Sequence, residues 1–232
     1  QQLTKFGVSF KADIATTGVV AIIEGNNPGK KTIALRADID ALPITETNTH
    51  DYVSTNQGVM HACGHDAHTA SLLGVAKILT ALKNEFEGTV KLIFQPSEEK
   101  LPGGAAVMIE EGVLENPKVE SIFAQHVFTP FEVGTVAFCF GNMLASTDEI
   151  YITVKGKGGH GAYPHETKDP VVMAAQMLVA LQQVVSRNMS PFQPTVLTFG
   201  KVIANGATNI IPDEVYLEGT FRAMDEKVRE QA

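Results

Sequence analysis

The chain has 232 residues, 44% of them hydrophobic, and a formal net charge of −8. That length allows one large domain or two smaller ones with buried cores, and the acidic balance excludes a broad nucleic-acid surface, which needs Lys and Arg in excess. No apolar run reaches the roughly 18–20 residues of a membrane span, and two cysteines, Cys63 and Cys139, are too few for a disulfide framework and fit a reducing, cytoplasmic compartment. In chain order, "TGVVAIIEG" and "KTIALRADI" are β-rich and flank the turn signal "NNPGK", so they read as a hairpin. "HTASLLGVAKILTALKN" places Leu72, Leu73, Ala76, Leu79 and Leu82 at helical spacing, with Asp66 or a neighbour as the expected cap. "GTVKLIFQP" reads as a buried strand, "GGAAVMIEEGVLE" as a helix after a glycine-rich turn, and "VESIFAQHV" and "VGTVAFCFG" as strands. Strand and helix alternation predicts an α/β domain with a largely parallel sheet.

The pattern changes near residue 146. "DEIYITVKGKG" alternates as a strand, "DPVVMAAQMLVALQQVVSRN" is a long helix with Pro170 in its first turn, and "PTVLTFGKVIANG" and "EVYLEGTFRAM" are two more alternating strands. The expected division is therefore 1–145 and 146–232, the second part a smaller α+β domain. The chain starts at Gln1 without a Met and stops in "AMDEKVREQA", a helix just begun, so a piece of a longer protein is expected, with the first domain incomplete at both ends.

Sites in parallel sheets gather at the carboxyl edge of the strands, and there the polar clusters fall. "GVMHACGHDAHT" offers His61, Cys63, His65, Asp66 and His68; Cys63 and His65, two apart in a loop, can reach one ion, and thiolate with imidazole suits zinc and other late divalent metals. A bland polar loop and a cysteine–histidine nucleophile are the competing readings. In "FQPSEE", Glu98 and Glu99 follow a strand end; they are either a solvated pair opening a helix or one ligand and one proton acceptor for an activated water. His126 in "AQHV" ends another strand, and Asp38 and Asp40 in "RADID" bring carboxylates beside it. The nucleophile reading leaves both glutamates without a role, whereas a metal uses every cluster. In the second part, His160 and His165 lie in a glycine-rich loop, Asn209 precedes a strand, and Arg222 offers a two-pronged fork for a carboxylate; each alone reads as structural.

Taken in order, "LRADIDALPI", "MHACGHDAHTASLLG", "LIFQPSEE", "QHV", "GKGGHGAYPHETKDPV" and "TNIIPDEVYLEGTFR" resemble the dinuclear metallo-amidohydrolases of the aminoacylase and carboxypeptidase superfamily, in the branch of hippurate, N-acyl-amino-acid and auxin-conjugate hydrolases. The resemblance runs from about residue 15 to 224. It implies two divalent ions (zinc, manganese or cobalt) on Cys63, His65, Glu99 and His126, with Glu98 as general base. It implies that His160 reaches the partner subunit's site, that Asn209 and Arg222 contact substrate, and that Asp40 and Asp66 lie behind the ligands. Asp38 stands where the wider family has a metal-binding histidine, and the cysteine branch shares that change. A further histidine ligand of the family, from a later segment, has no counterpart in the 232 residues. The implied protein is a homodimeric two-domain enzyme whose smaller domain is lid and dimer contact, and which cleaves small N-acyl amino acids. The alternatives are a dipeptidase or carboxypeptidase of the same fold, or a non-catalytic metal-binding or dimerisation fragment.

Overall fold

A computed structural model describes residues 1–232. Contacts divide them into two compact units, Gln1–Val133 and Gly134–Ala232. No helix is long and apolar enough to cross a membrane.

The first unit is built on a five-stranded sheet in the order β1-β2-β4-β3-β5 (Ser9–Ile14, Gly18–Glu24, Thr89–Gln95, Thr32–Asp38 and Ser121–Ala124). Strands β4, β3 and β5 run parallel, and the antiparallel β1–β2 hairpin joins along β4. The α/β architecture with a parallel core is thus as expected. The expected hairpin of β2 with β3 does not form, because β4 lies between them. Every residue of β4 is buried, as befits a strand in the centre of the sheet, where both faces are covered.

Period two sorts the sheet into two cores. On one face Ala21, Ile23, Ala37, Leu92 and Phe94 pack with Leu72 and Ala76 of α2 (His65–Ala81). On the other, Val20, Ala34 and Ile93 pack with Met108 of α3 (Gly104–Glu110) and with Val113. Lys91 of β4 also points to that second face and is 2% exposed; its Nζ donates to the carbonyls of Val113, Glu115 and Pro117 at 2.9, 2.7 and 3.0 Å. Burial pulls this ammonium below the usual lysine range, and the nearby Glu115 partly opposes that. The strand expected over 133–141 is absent. Val133, Val136, Phe138 and Phe140 are exposed there, and no neighbouring strand supplies hydrogen-bond partners.

In the second unit β6, β10 and β8 (Asp148–Lys155, Glu214–Ala223, Thr195–Ile203) form an antiparallel sheet in that order. Helix α4 (Pro170–Gln183) covers it through Ala174, which clusters with Val154, Val215 and Leu217. Pro170 takes the first helical position, as the sequence predicts, and Asp169 caps α4 by accepting from Val171 and Val172 N–H. A short ribbon pairs β7 (Gly159–His160) with β9 (Ile210–Ile211), at the end of the sheet where Glu214 faces Lys155.

Candidate metal centre

Four segments of the first unit deliver polar side chains to the carboxyl edge of the parallel strands. β3 ends at Asp38, with Asp40 just beyond it. After β4 the chain turns through Ser97 at φ 50° to Glu98 and Glu99. That turn requires glycine at 104, since a Cβ there would lie 1.9 Å from the Pro96 carbonyl oxygen. After β5 comes His126, and α2 begins with His65 just beyond Cys63. The helix starts at Gly64, with φ 77° and no side-chain cap, so Asp66 does not cap it; Asp66 stands in the first turn, where its charge suits the helix dipole. A Cβ on Gly64 would fall 2.4 Å from Cγ2 of Val127, so position 64 is glycine for space as well as for φ.

His65 is 1% exposed and defines the centre. A carbonyl only accepts, so Nδ1–H donates to Asp40 O at 2.9 Å. In the neutral ring Nε2 then keeps a lone pair, and it is a buried nitrogen with no hydrogen-bond partner. Three carboxylate oxygens lie within 4.0 Å of it: Asp38 Oδ2 at 3.7 Å, Glu99 Oε1 at 3.8 Å and Glu98 Oε2 at 4.0 Å. A lone pair facing carboxylates is electrostatically unfavourable unless a cation lies between them.

Cys63 Sγ lies 3.4 Å from His126 Nε2. His126 Nδ1 donates to Val127 O at 2.6 Å, so in the neutral ring Nε2 is an acceptor facing the thiol. Burial, followed by a hydrogen bond with Glu99 and by the negative charge of Glu99, Glu98 and Asp38, pushes this thiol up to about 11. A thiol in such surroundings is a poor nucleophile at neutral pH, which weighs against the cysteine-hydrolase reading; a cation is what would stabilise its thiolate. The donor atoms of Cys63, His65 and His126 lie within 4.8 Å of one another, as do those of His65, Glu98 and Glu99. The free His65 nitrogen and the thiolate, imidazole and carboxylate donors together fit divalent metal. Asp40 sits behind them, touching His65 and accepting from Glu99 N–H through Oδ2 at 3.0 Å.

Asp38 and His68 form a third close group with His65, but their atoms are already engaged. Arg36 Nη1 donates to Asp38 Oδ2 at 2.7 Å, and His68 Nδ1 meets Asp38 Oδ1 at 2.6 Å. Val127 N–H donates to His68 Nε2 at 2.9 Å. Burial would raise the Asp38 carboxyl, but the His68 hydrogen bond and the Arg36 charge outweigh it and hold the group below its usual range. Sequence reasoning assigns His68 no role; the available signal is its place three residues after His65, on the same helical face. His61 is exposed, with no side-chain partner to the ligands.

In the second unit, His160 and Asn209 come together. His160 pairs with Ile210 across the β7–β9 ribbon, and Gly161 N–H donates to Asn209 O at 2.7 Å. Ala162 N–H donates to His160 Nδ1 at 3.1 Å, which leaves the proton on the exposed Nε2. Arg222, exposed and opposite Val196, lies toward the other end of β10, eight residues past Glu214, or about 26 Å at strand rise. The structure does not bring it beside Asn209.

The profile of the peptidase family M20/M25/M40 matches residues 34–228. The chain is 43% identical over 229 residues to an N-acyl-L-amino acid amidohydrolase of Geobacillus stearothermophilus, covering 99% of the chain and 61% of that protein. It is also 43% identical over 229 residues to an N-acetyl-L-cysteine deacetylase of Bacillus subtilis, covering 99% and 54%. A solved Bacillus subtilis structure, described as a dinuclear metal-binding peptidase of the M20 family, superposes with a TM-score of 0.76 at 36% identity, covering 99% of this chain and 58% of that one. The chain therefore spans a little over half the length of these relatives.

Proposed function

Because the chain belongs to peptidase family M20/M25/M40, we propose that it carries the metal centre of a hydrolase that cleaves the amide bond of N-acyl amino acids. The observation that carries this reading is the buried, unpartnered His65 Nε2 among three carboxylates. Two divalent ions would be held by Cys63, His65, Glu99 and His126. A donor set of thiolate, imidazole and carboxylate suits zinc, with cobalt or manganese open to metal availability. When bound, such ions supply Lewis acidity at the scissile carbonyl and make water acidic enough to attack near neutral pH.

The chain's own groups have separable tasks. His65 offers one nitrogen only, so it serves one ion; Asp40 holds its tautomer and also the backbone of Glu99. Glu98 is the more exposed of the two glutamates, with 43% of its side chain accessible against 27% for Glu99. Glu98 takes the proton from the attacking water and returns it to the leaving nitrogen. His160, with Nε2–H exposed, and Asn209 stabilise the oxyanion, while the Arg222 fork binds the substrate carboxylate. Since Arg222 and the His160–Asn209 pair lie at opposite ends of their sheet, they would come from different protomers of a homodimer. Residues 1–145 form the catalytic part and 146–232 the lid and dimer contact, and the free Cys63 and Cys139 accord with the cytoplasm.

Glu98→Gln tests the assignment. Hydrolysis of N-acetyl amino acids should fall by about 10²–10⁴-fold while metal content per chain stays unchanged. Wild-type turnover in that variant would remove Glu98 from the role.

A further inference from the structure

His68 touches no candidate substrate group, yet it is 2% exposed and both ring nitrogens are engaged. The donor logic fixes its state. Val127 N–H can only donate, so His68 Nε2 accepts; the ring proton is on Nδ1 and goes to Asp38 Oδ1. Asp38 remains a carboxylate acceptor because Arg36 holds its other oxygen, and Arg36 is itself fixed by Nε donating to Gln95 Oε1 at 2.8 Å. No lone pair of His68 is left for an ion.

The far end of this chain of bonds is His126. Val127 is held at both backbone polar groups, its N–H by His68 and its carbonyl by His126 Nδ1, and its side chain fills the space that a Cβ on Gly64 would need. The His68 and His126 rings also meet edge to face, with centroids 4.6 Å apart and planes at 66°. His126 follows the short strand β5 and is itself exposed, so its backbone needs an anchor beyond the sheet.

We propose that His68 is a positioning residue: the Arg36–Asp38–His68–Val127 relay aims His126 Nε2 at Cys63 and so builds the thiolate side of the metal centre. The inference rests on the ligand reading above. It explains why an aspartate, and not another ligand, suits position 38: its carboxylate sets the tautomer of His68. It also makes the contribution of His68 a matter of geometry at His126 and Cys63.

Two substitutions separate the functions of the ring. Gln at 68 reaches as far as Nε2 and can accept from Val127 N–H; Asn ends near Nδ1 and leaves that N–H unpaired. Cobalt(II) is the probe, titrated into metal-free protein and followed by its thiolate charge-transfer band. His68→Asn should need about 10–100-fold more cobalt than wild type to develop the band, whereas His68→Gln should stay within about threefold of wild type. Nitrogen-15 spectra of the metal-free wild type should show His68 protonated at Nδ1 and bare at Nε2; the opposite tautomer overturns the proposal without any variant. Wild-type cobalt affinity in folded His68→Asn overturns the positioning role alone. Absence of a thiolate band in wild type overturns the ligand reading, and the proposal with it.

Discussion

His65 and His68 lie one turn apart, and their environments assign their rings opposite tasks. One keeps a bare nitrogen in a ring of carboxylates, and the other has none to spare. The same acidity acts on Cys63, whose thiol is pushed from the ordinary 9.0 up to about 11 by burial and by Glu99, Glu98 and Asp38. In metal-free protein at pH 8, iodoacetamide should therefore alkylate Cys63 much more slowly than the exposed Cys139. The two-unit rise leaves about 100-fold less thiolate than an ordinary thiol has, and the rate at Cys63 should climb as pH approaches 11; mass spectrometry of the two peptides measures both. Equal rates at pH 8 would mean that the carboxylates do not control this sulfur. The gathering of Cys63, His65, Glu98, Glu99 and His126 at one sheet edge was legible in the sequence because each lies just past a strand end or at a helix start. The role of His68 was not legible, since it depends on Val127 N–H passing its far side, a contact 59 residues distant in sequence.

Among the elements, β4 decides the most. Its uniform burial suits its place between β2 and β3, which the turn signal "NNPGK" alone had joined. Local turn chemistry shows that a chain reverses; it does not show which strand becomes the neighbour. β4 also carries Lys91, whose ammonium satisfies three carbonyls of the segment after α3. Replacing Lys91 with Met keeps the apolar stem and leaves those acceptors unpaired, so Lys91→Met should lower unfolding stability by about 2–4 kcal/mol. Denaturant unfolding checks this, and an unchanged midpoint would show that water replaces the ammonium at no cost. The strand expected over 133–141 fails for the complementary reason: "VGTVAFCFG" has the composition of a strand, but the sheet offers it no neighbour.

For the molecule as a whole, all candidate ligands belong to Gln1–Val133 and none to Gly134–Ala232. Metal should then stabilise one unit by mass action and leave the other alone. At zinc concentrations about 100 times the dissociation constant the gain is about 2.7 kcal/mol. Calorimetry with zinc and with chelator should move one transition and not the second; a uniform shift of all melting would contradict the confinement of the centre to the first unit. Gly64 gives this partition a genetic form. Any side chain at 64 meets Val127 and must bend a left-handed turn as well. In a mutational scan scored on metal retention, position 64 would behave like a ligand while donating no atom, so the set of indispensable positions would be larger than the coordination sphere it protects.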